Sequence, residues 1–175
     1  GGFWQVHKKA PDVLTSAVND FVAKAGIKLE ANNLDLYGGV GLFTGALAAA
    51  FGTNLRMITV ESFKQATADA TLNLKDLPNV TAVCEPVERF LAAHKDETGE
   101  ATVVLDPPRS GAGGKVVGQL LKLAPKHIVY VACDPIALAR DLKPLMEHYE
   151  LAGIRSFDLF PHTHHLETIA SLIRK

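Results

Sequence analysis

Apolar positions along this chain alternate between short continuous runs and stretches with helical spacing. The continuous runs predict strands near 33–37, 55–60, 79–84, 101–105 and 127–132, and the spaced patterns predict helices near 42–51, 63–75, 86–94, 114–123 and 136–147. A further helix precedes the first strand. Pro11-Asp12 suits a helix start, Val13, Leu14, Val18, Phe21 and Val22 follow at helical spacing, and Gly26 ends the run. Strands separated by helices imply parallel pairing, because parallel neighbours need a crossover, and a sheet covered on both faces. The tail breaks this rhythm: residues 149–158 and 166–173 read as two strands without an intervening helix, which predicts an antiparallel hairpin on the sheet edge. Ser62 and Gln65 have capping-box spacing and are expected to start the helix near 63–75.

With 175 residues, 47% of them hydrophobic and 21% charged, the chain can bury a full core, and a single domain over residues 1–175 is expected. No apolar run approaches the ~20 residues of a bilayer span, and the N-terminus lacks a signal pattern, so a cytoplasmic protein without membrane partners is expected. Two cysteines, Cys84 and Cys133, are too few for a disulfide framework and would remain thiols in a reducing compartment. Cys84 reads as core. The net charge is −1 and the basic residues are scattered. A nucleic-acid enzyme of this composition would take much of its phosphate-binding surface from elsewhere. A monomer is expected, since no apolar surface stripe is evident.

Asp35-Leu36-Tyr37-Gly38-Gly39-Val40-Gly41 follows a strand and opens a helix, and its glycines would let a ligand approach the backbone. Glu61 closes the next predicted strand at the spacing from which an acidic side chain accepts ribose hydroxyls. Dinucleotides and S-adenosyl-L-methionine both suit such a site. Thr44 occupies the third position of a dinucleotide fingerprint, whereas Asp35 is the acidic start expected of an S-adenosylmethionine loop. Glu85, past the third strand, could reach an adenine amine or be a solvated charge.

Two further loops lie at the same predicted sheet edge. Asp106-Pro107-Pro108-Arg109 follows the fourth strand, and the prolines stiffen it so that Asp106 could hydrogen-bond a flat base. Cys133 leaves the fifth strand, and Asp134-Pro135 turns it outward. An ordinary thiol, pKa ~8.5, is mostly protonated at neutral pH, so a helix N-terminus after Pro135 is expected to help its anion.

These motifs resemble those of the RNA uracil-5-methyltransferases that use S-adenosyl-L-methionine. The resemblance covers essentially the whole chain. Phe3-Trp4-Gln5-Val6 is similar to the family's entry motif, with Gln5 beside the cofactor. Asp35, Tyr37, Gly38, Gly39 and Gly41 lie in its cofactor loop, joined by Glu61, Glu85 and Asp106. Leu105 to Gly111 resembles its Asp-Pro-Pro-Arg segment, with Gln5, Asp106, Pro107 and Arg109 at the substrate. Ala132-Cys133-Asp134-Pro135 with Leu138-Ala139-Arg140-Asp141 resembles its nucleophile motif, and Phe160-Pro161-His162-Thr163 with His165-Leu166-Glu167 its general-base motif. Gly38 stands where many relatives carry cysteine, Ala132 where serine is common and Asp134 where asparagine is common.

The resemblance implies a class I methyltransferase (Rossmann-like) α/β fold: a seven-stranded, mostly parallel sheet with helices on both faces and an antiparallel C-terminal hairpin. It implies attack of Cys133 on carbon 6 of a uracil in tRNA or rRNA and methyl transfer to carbon 5. Glu167 would then remove the carbon 5 proton, and S-adenosyl-L-homocysteine would be the product. RNA would be bound largely through N-terminal domains that the family carries before its entry motif, and any iron–sulfur cluster of relatives would reside there. His162, His164 and His165 lack accompanying ligands, so no metal is expected. Three rivals remain: a cytosine-5 methyltransferase, which would carry Pro-Cys in the fourth-strand loop, an adenine amino-methyltransferase, and a cofactor-binding module without catalysis.

Overall fold

A computed structural model describes residues 10–95, 99–159 and 166–175. Helix α1 (Ala10–Ala25) is followed by β1 (Asn33–Leu36), α2 (Leu42–Phe51), β2 (Met57–Glu61), α3 (Lys64–Asn73), β3 (Val80–Cys84) and α4 (Val87–Ala93). Then come β4 (Thr102–Leu105), α5 (Gly114–Leu123), β5 (His127–Ala132), α6 (Pro135–Leu145), β6 (Tyr149–Phe157) and β7 (Glu167–Arg174). Every predicted element is present, with ends within two residues of those expected. Gly26 stops α1 with a positive φ of 81° and an N–H bonded to the Val22 carbonyl.

The strands form one sheet in the order β3-β2-β1-β4-β5-β7-β6. β1 to β5 are parallel, and β7 is antiparallel to both β5 and β6. The expected antiparallel hairpin closes this edge of the sheet, with β7 inserted between β5 and β6. Strand pairing explains this choice. Every residue of β5 is buried, whereas β6 is buried only at Tyr149 and elsewhere half-buried or exposed, so β6 suits the rim and the apolar β7 suits the interior.

Alternate strand residues feed two cores. Val103, Leu105, Ile128 and Tyr130 pack with α4, α5 and α6 on one face, and Val104, Val129 and Val131 pack with α1 and α2 on the other. Buried Asn33 ties the start of the sheet together. Its amide donates to the carbonyls of Lys28 and Arg56 and its oxygen accepts from Thr102 N–H. Strand β1 is therefore aligned with both neighbours, and the carboxyl ends of β1, β2, β4 and β5 face one side.

The capping box expected at Ser62 does not form. The residue before α3 is Phe63, with no side-chain cap, while Gln65 bonds Asp69. The Glu61 carboxylate accepts the Phe63 N–H instead, at 2.8 Å. Cys84 is also not core. It ends the edge strand β3, where only one side has a partner strand, and it is exposed.

Candidate active site

The turn after β1 is held from below. Asp35 is wholly buried and its Oδ2 accepts from Thr44 Oγ1 at 2.7 Å, joining the end of β1 to the first turns of α2. Burial raises its pKa to about 6, against the lowering effect of the Thr44 hydrogen bonds. Tyr37 takes a positive φ of 58°, uncommon for a side chain of this size, and turns the chain out of the strand. Gly38 N–H then donates to Val60 O at 2.9 Å, so close to β2 that a Cβ at 38 would fall 1.9 Å from Thr59 Oγ1. Gly41, at φ 90°, begins α2 against Leu74.

Glu61 reaches this turn from β2. One carboxylate oxygen accepts Gly39 N–H at 3.2 Å and the other accepts Phe63 N–H. Each oxygen retains capacity for a second donor, and the residue is half-exposed. These features fit a nucleoside: an open backbone turn at a helix start and a fixed acceptor on the adjoining strand. Glu85 lies one strand further out, within 3.5 Å of Arg89 on α4.

Asp106, Cys133 and Glu167 meet at the same sheet edge. Asp106 N–H donates to Leu36 O at 3.2 Å, which keeps the start of its loop on β1. Strands β5 and β7 pair Val131 with Ile169 and Ala132 with Thr168. Continuing that antiparallel register by one residue sets Cys133 opposite Glu167, which itself pairs with Phe157 on β6. The charges of Glu167 and Asp106 both reach the Cys133 thiol.

Burial holds the Cys133 thiol above its ordinary pKa, and the charges of Glu167 and Asp106 add to this, while Arg109 acts in the opposite direction. Asp134 caps α6, and its own carboxylate accepts the N–H groups of Ile136 and Ala137. Burial raises the pKa of Glu167, which is 8% exposed, to about 7. Asp106 is open to solvent at the sheet edge yet ringed by protein, and is held well above the carboxylate range, first by those surroundings and then by Glu167, Asp35 and Glu61.

Pro107 is buried, whereas Arg109 is exposed. Gln5 and the three histidines 162, 164 and 165 lie outside the described residues. Two side chains that the sequence reading named within motifs but not as site residues hold the loops in place. Thr44 anchors Asp35, and Asp141 accepts Tyr130 O–H and Ala112 N–H beyond the Asp106 loop. The available signal was a polar residue within an apolar helical face, buried in both cases.

Residues 12–175 match the family model described as tRNA (Uracil-5-)-methyltransferase. An uncharacterised RNA methyltransferase of Streptomyces avermitilis is 46% identical over 174 residues, spanning 98% of this chain and 39% of that protein. A second, from Bifidobacterium longum, is 43% identical, spanning 99% of this chain and 41% of that protein. The chain therefore spans about two fifths of the length of these relatives. Among solved structures, the tRNA (uracil-54, C5)-methyltransferase of Pyrococcus abyssi in complex with S-adenosyl-L-homocysteine superposes with a TM-score of 0.76. It is 30% identical, and the match covers 99% of this chain and 40% of that one. An N-methyltransferase of Bradyrhizobium japonicum, 14% identical with a TM-score of 0.72 over 98% of this chain and 91% of its own, shares the class I methyltransferase fold. Strand order, inserted antiparallel β7 and the family match across nearly the whole sequence agree, and the chain belongs to the tRNA (uracil-5-)-methyltransferase family.

Proposed function

We propose that this chain is the catalytic domain of an enzyme that methylates carbon 5 of a uridine in tRNA or rRNA through a covalent adduct with Cys133. The observation that supports this most is the β5–β7 register, which sets a thiol opposite a buried carboxylate beside Asp106. S-adenosyl-L-methionine, when bound, supplies an electrophilic methyl group. Gly38, Gly39 and Gly41 would hold it with Glu61 at the ribose, and Asp35 would keep the turn in shape from beneath.

Carbon 5 of uracil is a weak nucleophile. Addition of the Cys133 thiolate to carbon 6 moves the ring's electron pair toward carbon 5 and the carbon 4 oxygen, and carbon 5 then takes the methyl group. Asp106, exposed at the sheet edge beside Cys133, would hydrogen-bond the base and hold it in place as charge develops. Glu167 then removes the proton from carbon 5, and the electrons of that bond restore the ring and expel Cys133 as thiolate. A base with a pKa of about 7 is matched to this task, ionised for roughly half the time at neutral pH. In structured RNA the uridine must leave its stack to reach the thiol. The relatives' greater length is in keeping with RNA affinity arising largely outside these residues.

The test is mass spectrometry of the full-length protein, wild type and Cys133→Ala, with S-adenosyl-L-methionine and 5-fluorouridine-substituted tRNA or rRNA. Fluorine at carbon 5 blocks the Glu167 step. A methylated protein–RNA adduct that is lost in the variant is expected. No adduct in either protein, with RNA and cofactor both bound, would reject the thiol mechanism in favour of another nucleobase or a binding role.

A further inference from the structure

We propose that Tyr130, Arg140 and Asp141 form a clamp that holds the Asp106-to-Arg109 segment in place beside Cys133, which makes Tyr130 and Asp141 positioning residues for the thiol. The proposal rests on the reading of Cys133 as nucleophile. It begins from a buried charge with an unusual set of partners. Asp141 on α6 is 2% exposed. Its Oδ2 accepts from Tyr130 O–H at 2.6 Å, Ala112 N–H at 2.8 Å and Gly113 N–H at 3.4 Å. Its Oδ1 accepts from Arg140 Nε and Nη2 at 3.3 and 3.2 Å. Arg140 Nη2 also donates to Ser110 O at 2.6 Å, and Ala112 N–H reaches Tyr130 Oη at 3.2 Å.

All the backbone groups bound in this network belong to residues 110–113, directly after Arg109. The chain there is pressed onto the clamp. Gly111 has a φ of 83°, and a Cβ at that position would fall 2.5 Å from Arg140 Nη2 and 2.7 Å from Asp141 Oδ2. The other end of the segment is tied to β1 through Asp106 N–H and Leu36 O, and Gly111 N–H closes a turn onto Pro108 O. Pro107 and Pro108 remove φ freedom between the two ends. Charge-assisted hydrogen bonds to a buried carboxylate are stronger than neutral ones, so the downstream tie is a stiff one.

The other side of the clamp is the nucleophile's own support. Tyr130 lies on β5, which ends at Ala132 just before Cys133, and Asp141 lies on α6, which starts at Pro135 just after it. One carboxylate thus joins the strand and helix flanking the thiol to the loop carrying Asp106 and Arg109. The thiol faces Glu167 from β7 and Asp106 from the loop, both opposing its ionisation, and Arg109 from the same loop favouring it. Its ionisation therefore depends on where that loop is held.

The experiment uses the full-length protein with Tyr130→Phe, Asp141→Asn and Arg140→Lys. Alkylation of Cys133 by iodoacetamide is followed against pH by peptide mass spectrometry, in the absence of RNA, and methyl transfer to RNA is measured separately. Expected in folded Tyr130→Phe and Asp141→Asn is an alkylation midpoint shifted to lower pH, because a released loop takes Asp106 away together with Arg109 and Asp106 weighs more on the thiol. Their kcat should fall roughly ten- to a hundredfold, with KM for S-adenosyl-L-methionine nearly unchanged. Arg140→Lys, which can still donate to Ser110 O, should fall between them and wild type. An unchanged midpoint and kcat in the folded variants, or losses that only follow the folded fraction, would overturn the proposal. Failure of the nucleophile reading looks different: Cys133→Ala would still methylate while the clamp variants still shifted the alkylation midpoint.

Discussion

Replacing Gly38 by alanine tests how tightly the turn after β1 is packed, and the structure sets the scale of the effect. The added Cβ would stand 1.9 Å from Thr59 Oγ1, 3.1 Å from Asp35 O and 3.3 Å from Asp35 Cγ, whereas real Cβ contacts essentially never fall under 3.0 Å. Thr59 must retreat by about 1 Å, yet it is 2% exposed and paired between Asp35 on β1 and Ala82 on β3. Its β-branched side chain also has few rotamers to move into. Overpacking of this kind costs about 1–3 kcal/mol. The same contact explains why glycine stands here: the Thr59 hydroxyl occupies the space a side chain would need.

Thr59→Ala removes the obstructing atom, and that hydroxyl meets no hydrogen-bond geometry among the described residues, although it lies near enough to the Asp35 carboxylate to lower its pKa. The single change should therefore cost only about 1 kcal/mol. The double variant should recover about 1–2 kcal/mol relative to the sum of the two. Urea unfolding of all four proteins measures this coupling, and calorimetry with S-adenosyl-L-methionine reports whether the turn keeps its shape. Additive losses, or a Gly38→Ala protein as stable as wild type, would refute the packing argument.

Glu167→Gln should accumulate methylated adduct on ordinary uridine RNA, and the rise of wild-type kcat through a pH of about 7 should be lost in the variant. A carboxyl whose pKa rises from 4.5 to about 7 on folding makes the folded state lose stability as pH climbs between those values. Glu167→Gln should thus be more stable than wild type at pH 8, by up to about 3 kcal/mol, with the gap closing below pH 4.5; thermal melts that show a pH-independent difference would contradict this. Glu61→Ala leaves Gly39 and Phe63 N–H without their carboxylate and should weaken S-adenosyl-L-methionine binding about tenfold or more by calorimetry, with α3 fraying at its start. Asp134→Asn keeps an oxygen to accept Ile136 N–H and should leave stability within about 0.5 kcal/mol of wild type in urea, whereas Asp134→Ala should lose about 1 kcal/mol.

Apolar periodicity alone determined the element order, because parallel strands buried on both faces read as continuous apolar runs and the covering helices as spaced ones. Local chemistry likewise marked Asp106 and Cys133, each just past the end of a strand beside turn residues, whereas Glu167 was marked by resemblance to the family's general-base motif. Their meeting was not legible in the same way. It depends on β7 entering between β5 and β6, a choice made by burial of whole strands rather than by any local signal, and on a register that sets Cys133 opposite Glu167. The misread residues share one cause. Ser62 has cap spacing, but the Glu61 carboxylate takes the Phe63 amide, and Cys84 sits in an apolar run, but on an edge strand. Thr44 beneath Asp35, and Asp141 behind the Asp106 loop, act on partners distant in sequence. Sequence pattern reports which residues want burial or a turn; which partner each buried polar group finds is decided only when the chain closes on itself.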